Sequence, residues 1–230
     1  MPLSSSTDFL MIRPGHNHPW GTKMMIRRLF ILAIFIFGTS GSATSLENVL
    51  TPEDVDLIRA ISEHNTQIRT MAGRFLQIDG AGGRTEGTFF LERPNKIRFR
   101  YAPPSREEII STGRGFYVIN RRERTKYAYP QDKVPLRQFL ADEIDLLSAN
   151  IADVVKTDSF VSITLFDESP VGTVQVALIF EIESLELWQW TLIEPNGGEL
   201  TFSLYDVVKD VEIPRSFFYI DATYTSPNRD

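Results

Sequence analysis

From residue 71 onward, apolar and polar residues alternate with a period of two, which is the pattern of half-buried β-strands. Segment 96–101 (KIRFRY) alternates without error and puts Ile97, Phe99 and Tyr101 on one face. The same reading predicts strands at 71–79, 84–93, 107–111, 116–120, 126–129, 153–156, 160–166, 174–182, 187–193, 199–208 and 216–220, with about ten or eleven in the final sheet. Glycine- and proline-rich turns punctuate them at 80–83, 113–115, 172 and 195–198. Two stretches break the alternation. Thr51-Pro52-Glu53-Asp54 is a helix start, with a capping hydroxyl, proline in the first turn and acids at the positive end of the dipole. Val55, Ile58, Ile61 and Ile68 then follow helical spacing, predicting one amphipathic helix over about 52–70. Near Pro135, Leu136, Phe139 and Leu140 stand at i, i+3 and i+4, and Ile144 and Leu147 extend that stripe. Strands far outnumber helices and no βαβ alternation appears. The fold class is therefore α+β: a largely antiparallel sheet, curved or forming an open barrel, with helices set against it. No fixed-period repeat or low-complexity linker divides it.

The first 43 residues follow neither period. Residues 1–22 are mixed and turn-rich. Lys23, Arg27 and Arg28 then precede an unbroken apolar run of nine residues, 29–37 (LFILAIFIF), and Gly41-Ser42-Ala43 supplies small residues for a cleavage site. This is the layout of a secretory signal peptide cut after Ala43, with translation starting at Met24 or Met25. Nine apolar residues fall short of the about 20 needed to cross a bilayer. Residues 44–230 form a single domain. Removing 43 of the 230 residues leaves 187, with 20 basic and 29 acidic residues and a net charge of −9, against −6 for the whole chain.

Composition mostly excludes chemistries. Without cysteine there are no disulfides, thiolate metal sites or cysteine nucleophiles. Net acidity argues against nucleic-acid binding. His64 is the one histidine left after export, and it reads as a solvated helix residue with no triad partner motif. No metal-ligand spacing and no phosphate-binding loop is present, so no metal or other cofactor is expected. The acidic pairs Glu107-Glu108 and Asp142-Glu143 read as solvated faces. Nothing here points to catalysis.

Two features are less ordinary. The strands carry many large apolar and aromatic residues, among them Phe75, Phe89, Leu91, Phe99, Tyr101, Trp188 and Trp190. A long sheet covered by only two helical regions can leave a cavity between the layers. Arg93 shares parity with Phe89, Leu91, Ile97, Phe99 and Tyr101 if register runs through Pro94. It then points inward, where its permanent charge must find acceptors. If Pro94 sits in a bulge, Arg93 instead turns to solvent. Residue types alone leave both readings open.

Met71-x-Gly73-x-Phe75-x-Gln77, followed by Gly87-Thr88-Phe89-Phe90-Leu91-Glu92-Arg93-Pro94-Asn95-Lys96-Ile97-Arg98-Phe99-Arg100-Tyr101, resembles the periplasmic outer-membrane lipoprotein carrier family, LolA. Leu187-Trp188-Gln189-Trp190-Thr191 through Pro195-Asn196-Gly197-Gly198-Glu199-Leu200-Thr201 resembles that family's late hairpin, with Glu194 where an aspartate is usual. The resemblance spans roughly 46–221. It implies an unclosed, strongly curved β-barrel of about eleven strands under a helical lid, whose cavity takes lipoprotein acyl chains. On this resemblance Phe75, Phe89, Leu91, Ile97, Phe99, Tyr101, Trp188 and Trp190 line the cavity. Ile58, Ile61, Ile68, Leu136, Phe139 and Leu140 belong to the lid helices, and Arg93 hydrogen-bonds the lid backbone. Ile97 stands where family members often carry phenylalanine. The implied partners are lipoprotein acyl chains, an inner-membrane lipoprotein-releasing ABC transporter and an outer-membrane acceptor or membrane, with the carrier a periplasmic monomer. The alternatives are a periplasmic lipid- or lipoprotein-binding sensor on the same fold and, with least support, a carboxylate hydrolase.

Overall fold

A computed structural model describes residues 50–133, 136–169 and 172–226. The predicted leader and cleavage site lie outside the described residues, as does Pro135.

The chain opens with helix α1 (Pro52–Gln67), where Thr51 and Asp54 form a reciprocal capping box. Eleven strands follow: β1 (Thr70–Asp79), β2 (Arg84–Glu92), β3 (Lys96–Tyr101), β4 (Glu107–Thr112), β5 (Phe116–Asn120), β6 (Thr125–Tyr129), β7 (Asn150–Lys156), β8 (Phe160–Ser169), β9 (Gly172–Glu181), β10 (Leu187–Ile193) and β11 (Glu199–Lys209). They form one antiparallel sheet in the order β6-β5-β4-β3-β2-β1-β11-β10-β9-β8-β7. β6 and β7 are its two edges, so the sheet is not closed.

Between β6 and β7 lies the second predicted helical interval. It is not one helix. It contains short 3-10 turns (Gln131–Lys133 and Leu146–Ser148) and the four-residue helix α2 (Arg137–Leu140). Leu136 precedes α2 in the left-handed region at φ 73°, and Ile68 caps α1 in extended backbone, so neither is helical. Both remain buried. Residues 216–220, expected as a strand, instead contain the 3-10 turn Arg215–Phe218. This turn packs against the face of β2–β4 opposite the core, with Phe217 at 4.6 Å from the Phe90 ring. The sheet is covered on both sides there, so apolar parity no longer distinguishes strand from turn.

The core lies on one face of the sheet, here termed inner. Phe75, Phe89, Leu91, Phe99, Trp190, Phe202, Val176, Leu178, Phe180 and Ile163 fill it, beneath Ile58 and Ile61 of α1 and Phe139 and Leu140 of α2. Gly87 makes this packing possible. A Cβ there would stand 2.2 Å from the Arg100 carbonyl oxygen and 2.7 Å from the Phe75 ring. Gly87→Ala is expected to destabilise the fold by about 1–3 kcal/mol through overpacking. The corresponding fall in Tm is roughly 3–10 °C, readable by circular dichroism.

Candidate functional site

The inner face carries a continuous aromatic surface. Phe75 of β1 meets Phe99 and Tyr101 of β3 edge-on, each at 5.1 Å between ring centroids. Trp190 of β10 stacks on Phe202 of β11 at 4.8 Å and 10°, and lies 5.7 Å from Phe99. Phe89, Leu91 and Ile97 complete this surface, all buried. Phe202 was not among the residues expected to line it, although it shares parity with Leu200 and Leu204 on β11.

Trp188 is a correction. It is 44% exposed and packs on Phe160 outside the core, at 4.8 Å between rings. β10 shifts register against β9 between Leu187 and Gln189. The bulge inserts one residue, so Leu187 and Trp190 both point inward and Trp188 points out.

The described residues of segment 131–148 (131–133 and 136–148) cross this surface. Leu136 and Phe139 leave only a small void, about 10 Å³, above Met71, Phe89, Leu91, Ile97, Phe99 and Trp190. At this point the space between sheet and cover is occupied by the side chains of Leu136 and Phe139.

Arg93 points inward and is buried. Its Nε donates to the Ile68 carbonyl at 3.0 Å, and one terminal nitrogen donates to the Phe139 carbonyl. Its guanidinium also lies 4.6 Å from the Phe139 ring centroid. The physical reason is local. A four-residue helix has no intrahelical donors for its last carbonyls, so outside donors must serve them. Arg93 serves Phe139, and the Asn95 backbone N–H serves Leu140 at 2.8 Å. Arg93 also meets the electronegative end of α1 at Ile68. The other terminal nitrogen of Arg93 is buried without a partner. Burial, and secondarily the Arg69 charge, pull its pKa down to about 10, so it stays cationic near neutrality.

Arg93 is not the only tie on this segment. Ile144 N–H donates to the Thr66 hydroxyl at 2.9 Å, and Leu146 N–H to the Ser62 hydroxyl at 3.3 Å. Arg69 binds both the backbone and the carboxylate of Asp142. On the β8 side, Arg137 pairs with the buried Asp167 at 2.8 Å and Lys133 with Glu168 at 3.1 Å. Burial pushes the Asp167 carboxyl up, while the Arg137 hydrogen bond and charge oppose the shift. These ties were not foreseen, because their partners lie 30 or more residues apart in the chain.

Glu107 and Glu108 are a second correction, since neither is solvated. Glu108 faces outward beneath Arg98 (2.9 Å), Arg100 (3.3 Å) and Arg121 (3.4 Å). Glu107 lies on the inner side near Tyr101, whose hydroxyl donates to Gln77. Burial raises the Glu107 pKa. The folded state then favours neutral Glu107, so stability falls as pH rises from the ordinary glutamate value through the raised one. Glu107→Gln is expected to be more stable than the parent at pH 7 in urea titration. The difference should vanish well below about pH 4.3.

Asp142 and Glu143 are exposed as expected. His64 is half-exposed, with its Nε2 3.9 Å from a Glu186 carboxylate oxygen. Among the described residues no cluster of histidine and carboxylates is placed to hold a metal. No helix among them is long and apolar enough to cross a membrane.

A family model described as the outer membrane lipoprotein carrier protein LolA matches residues 66–221. An outer-membrane lipoprotein carrier protein of Methylococcus capsulatus is 31% identical over 88 residues, covering 38% of this chain and 39% of that protein. Among solved structures, a LolA superfamily protein of Nitrosomonas europaea is 10% identical with a TM-score of 0.43, covering 71% of this chain and 97% of that one. MucB of Pseudomonas aeruginosa, in complex with MucA, is 10% identical with a TM-score of 0.38, covering 73% of this chain and 61% of that one. LolA proteins are periplasmic and bind lipoproteins as carriers rather than enzymes. Residues 66–221 take in all eleven strands and the segment that covers them, and the chain belongs to the LolA family.

Proposed function

We propose that this protein is an exported, single-domain, monomeric periplasmic carrier. It takes the acyl chains of lipoproteins between the inner face of the sheet and segment 131–148, and moves them from the inner to the outer membrane. An inner-membrane ABC transporter loads it, and an outer-membrane acceptor or the outer membrane itself receives the cargo. The observation that carries this reading is a wide aromatic surface with only a small void above it, under a cover tied to the buried Arg93 through the Phe139 carbonyl. Cargo can enter only by lifting that cover.

A strongly curved, unclosed barrel is the shape this requires. It is supported by Phe99 and Trp190, whose rings lie 5.7 Å apart although β3 and β10 are four strands apart in the sheet. A flat sheet would separate them by about 19 Å.

The magnitudes suit reversible loading. Each buried methylene contributes about 0.8 kcal/mol. The charge-assisted hydrogen bond that ties Arg93 to the cover at Phe139 is worth about 1.5–3 kcal/mol. About two to four methylenes therefore offset the Arg93 latch, and the remaining ties raise that number. Long acyl chains open the cover while small apolar solutes do not.

Depletion in cells separates this reading from a sensor. A carrier's loss leaves outer-membrane lipoproteins in the inner membrane upon fractionation. If sorting continues while an envelope stress response changes, the transport reading fails.

A further inference from the structure

On the outer face of the sheet lies a second feature unrelated to the filled interior. A groove of about 620 Å³ runs between β3–β6 and the C-terminal segment 215–220. Its walls are Lys96, Thr112, Arg114, Tyr117 and Lys126 on one side, and Arg215 with Phe218, Tyr219 and Ile220 on the other. Lys96 pairs with Thr112, and Ile119 and Tyr117 with Lys126 and Ala128, which puts these wall residues on the face opposite Phe99 and Phe116.

The charge of this groove is opposite to that of the chain. Four of its nine lining residues are cationic and none is acidic, in a protein with 24 basic and 30 acidic residues. Lys96 is paired with Glu92. Arg114, Lys126 and Arg215 have no carboxylate partner among the described residues. Three cations left facing one concavity, where salt bridges are common elsewhere on the surface, make a site for anions. Beside them Tyr219 is 68% exposed. An exposed tyrosine with a neighbouring isoleucine, next to a cationic pocket, combines the two attractions of a membrane surface: anionic phosphates and the apolar headgroup boundary.

We propose that this groove docks the protein on anionic bilayers by taking the phosphate of a lipid headgroup, with Arg114, Lys126 and Arg215 as the phosphate ligands and Tyr219 at the headgroup boundary. A soluble acidic segment of another protein fits less well, because it would leave the exposed Tyr219 without an apolar counterpart. The docking is independent of the carrier reading, since groove and aromatic surface occupy opposite faces. It gives a net-acidic protein one face with which to approach an anionic membrane.

The test is flotation of the purified protein with vesicles of phosphatidylcholine alone or mixed with phosphatidylglycerol. Binding is expected only to the mixed vesicles, and it should weaken with salt. Each juxtamembrane cation contributes about 1 kcal/mol, a fivefold effect. Arg114→Glu/Lys126→Glu/Arg215→Glu is therefore expected to bind at least about 100-fold more weakly. Arg114→Gln/Arg215→Gln, at two exposed positions, serves if the triple variant does not fold. Tyr219→Ala should weaken vesicle binding, and Arg93→Leu should leave it unchanged. Lipopeptide uptake, measured separately, should be the same in parent and groove variants, so failure of docking and failure of carriage are told apart. Equal binding to both vesicle types, or undiminished binding by the triple variant, would overturn the proposal. Binding of glycerol 3-phosphate or polyglutamate without binding to mixed vesicles would also overturn it, in favour of a soluble anion or an acidic protein.

Discussion

Arg93→Leu is expected to fold and to accept lipoprotein, yet to pass it on at least tenfold more slowly than the parent. The cause lies in the covered state. Arg93 joins the end of α1 to the end of α2 through the carbonyls of Ile68 and Phe139. Leucine makes neither bond and leaves both carbonyls buried without those donors. At about 1.5–3 kcal/mol for each lost charge-assisted bond, the covered state weakens by about 3–6 kcal/mol. On the proposed carrier reading, the cargo-bound, uncovered state lacks only the Phe139 bond, because Ile68 lies outside segment 131–148 and its bond is lost equally from both states. The remaining difference of about 1.5–3 kcal/mol shifts the balance between the two states by at least about tenfold toward the loaded form. On the proposed carrier reading, closure of the cover drives cargo out, so release is expected to suffer while uptake is not. Arg93→Lys should lie between, because one ammonium cannot span two carbonyls as the guanidinium fork does. A reconstituted transfer assay from loaded carrier to acceptor membranes reads the effect. Parental transfer by Arg93→Leu would remove the latch from the account.

Glu108→Ala is expected to produce the largest loss of stability, about 3–5 kcal/mol. Its carboxylate is 3% exposed and is met by three guanidinium groups, from Arg98, Arg100 and Arg121. Arg98 also donates to the Phe217 carbonyl at 2.8 Å, and Arg121 to the Tyr101 carbonyl at 2.8 Å. The alanine variant leaves these cations crowded on the outer face with no counter-charge, two of them largely buried. In urea the midpoint should fall by about 1–3 M with an unchanged slope. Cargo binding per folded molecule should be unaffected, because Glu108 faces away from Phe99 and Phe75. A shift of less than about 1 kcal/mol would mean that the arginines hold their places without the carboxylate.

Much of this architecture is written in the period of the chain. The KIRFRY alternation places Ile97, Phe99 and Tyr101 on the inner face and Arg98 and Arg100 on the outer one, where the structure has them. The failures each trace to an event the period does not encode. Trp188 turns outward because a backbone bulge adds one residue to β10. Residues 216–220 look strand-like because Phe217 and Phe218 must both be covered, yet they form a turn packed on the outer face of the sheet. The covering segment breaks into short turns, since its carbonyls are satisfied by Arg93 and Asn95 rather than within one helix. The burial of Glu108 had a readable signal: Arg98 and Arg100 alternate outward on β3, and Arg100 stands directly across from Glu108 on β4. Charge counted along the chain hides this cross-strand pairing. The inward turn of Arg93, open on residue types alone, is decided by the two carbonyls it meets.

The central claim is that the aromatic inner face holds acyl chains once segment 131–148 lifts. Native mass spectrometry of the protein after incubation with inner-membrane vesicles and their releasing transporter tests it most directly. The account predicts a one-to-one complex whose added mass is that of a triacylated lipoprotein, absent when the lipoprotein lacks its acyl chains. Repeated recovery of the protein without any lipid-bearing adduct would contradict it.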